Sequence, residues 1–256
     1  MMSLLTLLTI WLGTFFTAAM SSIFGMTGGM ILMGLLTAVL SVSATMVLHG
    51  MIQLTSNAYR AYLNRESIRW DIIRGYLLGS LGAVGLFLYL VTSFDRPPAA
   101  LVYLSLGVLP FIAFALPEKL KLDITRPYMA PLSGVLIGTT NLLAGVAGPL
   151  LDVFFQRSGL TRHEVVAGKA MTQVIAHVIK IFFYGYLAET FSPTGEAIWP
   201  PLWVFAICIL LSFAGTYLGK IILDAMSDKN FYSWTRRIMM LVGFTFIIRG
   251  LMLLSA

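Results

Sequence analysis

Two stripes of polar residues run through otherwise apolar stretches of this chain. Lys169, Gln173, His177 and Lys180 are spaced by 4, 4 and 3 residues, and His49, Gln53, Asn57 and Arg60 repeat that spacing. On an α-helix it gathers all four side chains on one narrow face. Amides, imidazoles and cations on one face supply hydrogen-bond donors and positive charge, which suits a small anion. Two glycine-rich breaks stand upstream, Gly25-Met-Thr-Gly-Gly29 and Gly145-Val-Ala-Gly-Pro149. A helix that starts at such a break exposes unbonded backbone N–H groups and a partial positive charge, and glycine lets a ligand approach that backbone closely. The candidate substrate-binding residues are therefore Thr27, Gly28, Gly29 and Gly148 on the breaks, with His49, Gln53, Asn57, Lys169, Gln173 and His177 on the stripes.

Asp152 is the one carboxylate in the short segments that follow the breaks. It is a candidate proton-coupling group, with His177 as the alternative carrier, and, equally, a candidate ion-pair partner for a lysine or arginine. Arg60 and Lys180 approach helix ends, where long basic side chains snorkel to the interface, and Glu164 is expected to be solvated. Cys208, the single cysteine, sits in an apolar run, which excludes an intrachain disulfide and a cysteine-rich metal site. There is no HExxH, GxSxG or P-loop motif and no paired catalytic carboxylates, so no catalytic residue, metal or cofactor is assigned and direct ATP drive is not expected.

The elements that position these residues are membrane helices. Of 256 residues, 58% are hydrophobic and 11% charged, the mean hydropathy is +0.88, and soluble domains carry roughly 25% charged residues. A hydrocarbon core about 30 Å thick needs about 20 apolar residues per helical crossing. Gly, Pro and charge clusters divide the chain into long helices at 4–24, 44–64, 71–92, 98–116, 128–145, 163–188, 198–223 and 231–255. Two pieces, 28–41 and 148–158, are too short to cross comfortably and read as tilted or re-entrant half-helices. The stretch from Leu4 to Phe24 lacks the basic start of a signal peptide and reads as a membrane helix. The net charge of +6 falls in short loops rather than on a basic face, which points to membrane topology and away from nucleic acid.

The breaks lie 120 residues apart, and the chain matches itself at that offset: Gly25 with Gly145, Gly28 with Gly148, Gln53 with Gln173, Arg60 with Lys180, His49 with Lys169 and Asn57 with His177. This implies a duplication, residues 1–120 and 121–256. Basic residues collect in cytoplasmic loops. Arg65, Arg69 and Arg74, then Lys119, Lys121 and Arg126, then Lys220, Lys229, Arg236 and Arg237 mark three such loops, whereas 189–197 has Glu189 and Glu196 but no basic residue and 93–97 has Arg96 as its one basic residue. Counting the short pieces as crossings gives each half an odd number, which inverts the second copy. The expected fold is an all-α polytopic bundle of two inverted repeats with broken or re-entrant helices.

The paired motifs, Gly25-Met-Thr-Gly-Gly-Met-Ile-Leu and Gly145-Val-Ala-Gly-Pro-Leu-Leu, with the following Ser43-Ala-Thr-Met and Leu160-Thr-Arg-His-Glu-Val-Val-Ala-Gly, resemble the sulfite exporter TauE/SafE family of anion permeases across essentially the whole chain. The resemblance implies about eight helices and transport of sulfite, sulfonates or related organosulfur or carboxylate anions across bacterial inner membranes. Thr27, Pro149 and Asp152 depart from the usual family pattern.

The reading is a multi-pass secondary transporter of small anions, driven by alternating access and a proton gradient, with the bilayer and a small anion as its partners and a second copy of the chain as a candidate one. An intramembrane enzyme and a membrane assembly partner are the rivals. Cysteines introduced near 67 and 121 are expected to react with impermeant reagents from the cytoplasm, and cysteines near 43 and 193 from outside. Finding 43 and 193 on opposite sides would refute the inverted topology.

Overall fold

The structure, a computed structural model, describes residues 3–24, 27–93, 103–104, 107–108, 111–112, 115, 122–156, 158–187 and 199–254. The expected helix at 98–116 therefore falls largely outside the described residues, as do Gly25, Arg96, Lys119, Lys121, Arg157 and the loop at 189–197. The described elements are α1 (Leu4–Phe24), α2 (Thr27–Thr37), α3 (Val42–Leu63), α4 (Trp70–Ser93), α5 (Met129–Ala144), α6 (Gly148–Phe155), α7 (Arg162–Phe182), α8 (Leu202–Ala225) and α9 (Asp228–Leu254). No strand occurs among the described residues. The chain is an all-α polytopic membrane protein.

Five of these helices, α1, α4, α7, α8 and α9, are long and apolar enough to cross a membrane. The 22-residue α3 is long enough but less apolar, because His49, Gln53, Asn57 and Arg60 interrupt it. The 11 residues of α2 and the 8 of α6 reach only about 16 and 12 Å at 1.5 Å per residue, as the half-helix expectation required. Where boundaries moved, local chemistry explains it. Pro200 and Pro201 delay α8 to Leu202, since a residue before proline avoids helical dihedrals. Conversely, Ser227 advances α9, its hydroxyl accepting the Asn230 N–H at 3.2 Å while Asp228 occupies the favourable first turn. Thr161 and Glu164 form a capping box at the start of α7, Glu164 accepting from the Thr161 N–H at 2.9 Å and Thr161 from the Glu164 N–H at 3.3 Å. Glu164 is thus a helix cap.

The helices form two compact units, one of Met1–Ile68 with Val166–Met226 and the other of Arg69–Val165 with Ser227–Ala256. Each draws on both halves of the sequence. In the first unit small residues set the spacing. Gly215 and Gly219 of α8 face the Phe15 and Ala19 carbonyls of α1, and Gly28 of α2 faces the Thr17 carbonyl, with no room for a Cβ at any of them. Lipid supplies no hydrophobic drive between helices, so close backbone approach and side-chain hydrogen bonds take its place. Accordingly, the Ser22 hydroxyl donates to the Thr216 carbonyl at 2.8 Å, and Ser56 bonds the Thr216 hydroxyl at 2.9 Å. Ile10, Leu32, Leu36, Leu48, Ile52, Val204 and Cys208 fill the core of this unit, which makes Cys208 the packing residue its apolar surroundings suggest.

In the second unit α4 and α5 interlock. Gly79 abuts the Pro131 carbonyl, Gly134 the Tyr76 carbonyl, and Gly138 the Ala83 methyl group. The positive φ of Gly145, 75°, ends α5, a conformation that favours glycine. Pro149 follows within the first turn of α6, where no intrahelical N–H bond is lost. The Gln156 side chain donates to the Tyr232 carbonyl at 3.2 Å, and Arg162 pairs with Asp228 at 2.9 Å. Trp70 and Trp203, half exposed at the starts of α4 and α8, suit the headgroup region.

Gly79→Ala and Gly134→Ala are each expected to destabilise the protein by about 1–3 kcal/mol through overpacking. Gly85→Ala, where a Cβ meets nothing within 4 Å, is expected to be neutral or to stabilise by about 0.5–1 kcal/mol. Thermal unfolding in detergent distinguishes them; equal midpoints for all three would contradict the interlocked packing.

Candidate functional site

Within the first unit, α2, α3 and α7 bring together most of the residues singled out by spacing. The first turn of α2 holds Thr27, Gly28 and Gly29, whose amides have no carbonyl of their own helix to bond. Gly28 turns its Cα toward α1, where its role is close packing. Gly29 instead faces Gln53: a Cβ there would lie 3.2 Å from the Gln53 carboxamide carbon and oxygen. Missing that atom, the carboxamide rests directly on the helix start.

The α3 stripe is buried along its length, with His49, Gln53, Asn57 and Arg60 each no more than 4% exposed. The His49 Nε2 lies 2.8 Å from the Gly29 carbonyl. The Asn57 amide donates to the Gln53 carbonyl at 2.7 Å and to Gln53 Oε1 at 3.5 Å, which turns Gln53 Nε2 away from Asn57. Arg60 donates to the Ser21 carbonyl of α1 and to Asn57 Oδ1.

The α7 stripe is equally enclosed. Lys169 and Lys180 have no exposed surface, and Gln173 and His177 very little. The rings of His49 and His177 meet edge to face with centroids 5.5 Å apart, and Lys180 Nζ lies 2.7 Å from His49 Nδ1. α3 and α7 approach this closely at Gly50, which faces the Ile181 and Lys180 side chains. Just beyond, α7 widens into a π-helical turn over Phe183–Leu187, an irregularity that often accompanies functional sites.

Gln53 Nε2, Gln173 Nε2 and His177 Nδ1 of this cluster are buried and have no hydrogen-bond partner among the described residues. The amide nitrogens can only donate. The buried formally charged side chains of the unit are all basic, Arg60, Lys169 and Lys180; the one buried carboxylate among the described residues, Asp152, belongs to the second unit. Donors and positive charge inside an apolar shell suit an oxyanion. No group of three or more His, Cys, Asp or Glu suited to a metal ion occurs among the described residues.

Residues 10–249 match the family model of the sulfite exporter TauE/SafE. The chain belongs to this family. Neither a curated protein nor a solved structure matches it. Membership in TauE/SafE, a family of transporters rather than enzymes, implies a membrane transporter of sulfite-type anions.

This TauE/SafE protein departs from the sequence expectation at two basic residues. Arg60 and Lys180 do not snorkel to an interface: Arg60 is 1% exposed and Lys180 has no exposed surface. Neither was among the candidate site residues. The signal was present, since each closes its stripe in the repeat register, but the neighbours that enclose them, Ser21 on α1 for one and His49 across the Gly50 crossing for the other, are distant in sequence. Gly148 and Asp152 lie in the second unit, opening α6 and on its second turn, with Asp152 buried. Pro149 removes one backbone donor from that first turn, so α6 offers an anion fewer N–H groups than α2. For Thr27 only the backbone placement in α2 is described.

Proposed function

We propose that this protein is a secondary transporter of a small oxyanion, sulfite or a sulfonate, in the bacterial inner membrane. In this reading the first turn of α2, with Gln53, Asn57, Gln173 and His177, holds the oxygens of the anion and Lys169 supplies compensating charge. The observation that carries the reading is the set of three buried unpartnered atoms, Gln53 Nε2, Gln173 Nε2 and His177 Nδ1. Buried polar atoms left unbonded are costly, about 1–3 kcal/mol each, and a bound oxyanion would satisfy the two amide donors and His177 Nδ1 in the tautomer that carries hydrogen there. Gln53 and Gln173 are 120 positions apart and therefore equivalent in the proposed duplication. Helix starts recur at the same offset, Val42 with Arg162, which supports the repeat register. Two inverted repeats provide a route to alternating access, with one arrangement open to each side of the membrane.

A neutral buried network that merely holds α3 against α7 is the rival account of these residues. It requires the unpartnered donors to be tolerated defects, which are few in native proteins, and it predicts no loss of flux when they are removed. Counterflow of labelled sulfite, methanesulfonate and acetate in liposomes containing only this protein tests both. Wild type is expected to exchange at least one of the three. Gln173→Ala, which removes a hydrogen bond to a charged ligand, is expected to weaken its apparent affinity about 10- to 100-fold, and Lys169→Ala at least as much, while both variants remain folded and membrane-inserted. Exchange at wild-type affinity in both would refute the site.

A further inference from the structure

Both ring nitrogens of His49 are engaged, and their partners constrain where protons sit. The Gly29 carbonyl only accepts, so Nε2, 2.8 Å away, carries a hydrogen and donates. With a neutral ring Nδ1 is a lone pair, and Lys180, at 2.7 Å, donates to it. With a charged ring Nδ1 is itself a donor, and Lys180 must be the amine that accepts. Two charged partners would set donors against each other. The hydrogen bond thus survives in two states, one in which the pair carries a single positive charge and one in which it carries none, with the Lys180 amine still donating one N–H.

This pair sits against the helix start assigned to the anion, since Gly29 belongs to the first turn of α2. Among the described residues the ionisable groups around it are few. On α3 Arg60 lies beyond His49, and on α7 are Lys169 and His177, whose ring is 5.5 Å from that of His49. Neither α1 nor α2 has an ionisable side chain among the described residues. Among its described residues α8 carries Cys208, Tyr217 and the mutually paired Lys220 and Asp224, at 2.9 Å. The π-helical turn after α7 adds Tyr184 and Tyr186. Among these described groups no carboxylate faces the pair, and the negative charge that arrives and leaves is the substrate. An anion at the α2 start favours the charged state of the pair, and its departure favours the uncharged state; the coupling is reciprocal.

Building on the anion-transport reading, we propose that the His49–Lys180 pair is the proton-coupling site, taking up one proton when the anion binds and releasing it when the anion leaves. The proton adds to the Lys180 Nζ lone pair, converting amine to ammonium, and no other bond is made or broken. Anion and proton then travel in the same direction. Gly50 makes the pair possible, because a Cβ there would stand 2.8 Å from Ile181 Cγ1 and 3.4 Å from Lys180 Cε.

The test is nitrogen NMR on the full chain labelled with 15N-lysine in lipid nanodiscs, at fixed pH, with and without whichever of sulfite, methanesulfonate or acetate shows counterflow. The Lys180 Nζ resonance is assigned by its loss in Lys180→Arg, an assignment that needs no transport activity. An amine-like signal that becomes ammonium-like on adding the anion is expected, and the same protonation state in both samples overturns the proposal. In liposomes, an imposed proton gradient is expected to drive net uptake by wild type and not by Lys180→Arg, whose guanidinium stays charged, or by Gly50→Val, which separates the pair without deleting either member. A gradient response that persists in Lys180→Arg but disappears in Asp152→Asn moves the coupling to Asp152 and overturns the pair. Absence of counterflow for all three anions instead overturns the anion-transport reading on which the proposal rests.

Discussion

Arg60, Lys169 and Lys180 are buried in a chain whose outer surface is built for lipid, and the arrangement of the first unit follows from that constraint. An ionisable side chain in hydrocarbon costs about 2.5–3.5 kcal/mol even by the gentler estimates. The stripes on α3 and α7 must therefore turn inward, and the polar groups around them must bond to one another or to something that visits. Part of the demand is met internally: Arg60 reaches the Ser21 carbonyl and Asn57, and Lys180 reaches His49. The donors on Gln53 and Gln173 have no such partner among the described residues, and they lie in the same unit as the first turn of α2, which has amides of its own to satisfy.

Enclosing the stripes requires helices to come closer than ordinary side chains allow. These close crossings carry a small residue at the contact: Gly28 of α2 against α1, Gly50 of α3 against α7, Gly215 and Gly219 of α8 against α1, and in the second unit Gly79, Gly134 and Gly138. These glycines have different duties even within one motif. Gly28 is a packing residue, whereas Gly29, one position along, clears the surface on which the Gln53 carboxamide rests. Hydroxyl side chains complete the seams; Thr14 and Thr17 bond back to carbonyls four residues earlier, each at 2.6 Å, which satisfies both hydroxyls within α1.

Binding chemistry and helix packing are thus tightly interleaved. α2 ends after 11 residues and its start lies beside the buried stripe of α3, so a short helix replaces a full crossing where the proposed anion would need backbone donors. A continuous helix through the same region would have consumed those amides in its own hydrogen bonds. The π-helical turn after Lys180 is a second place where regular backbone gives way next to the polar cluster. The start of α2, with Gly28 and Gly29 enclosed, is buried in protein, the condition under which a bilayer tolerates such an irregularity.

Composition and periodicity alone determined that this chain is a membrane helix bundle, because hydrocarbon leaves the backbone few other solutions. They also placed α1 at Leu4–Phe24, the two half-helices after the glycine breaks, and the shared faces of the stripes, since the 3.6-residue period is local. Tertiary structure decided which neighbour each polar residue meets. No spacing reveals that Lys180 bonds to His49, 131 positions earlier, because that contact depends on the Gly50 crossing. Nor does it separate the packing role of Gly28 against α1 from the contact of Gly29 with Gln53, which depends on where α1 and α3 run. The positions of Arg60 and Lys180 near helix ends suggested snorkelling, and only the packing of α1 and α3 around them shows burial instead. Local sequence governs the conformation of a segment and the face it presents; the energy of a buried charge depends on atoms contributed by other segments.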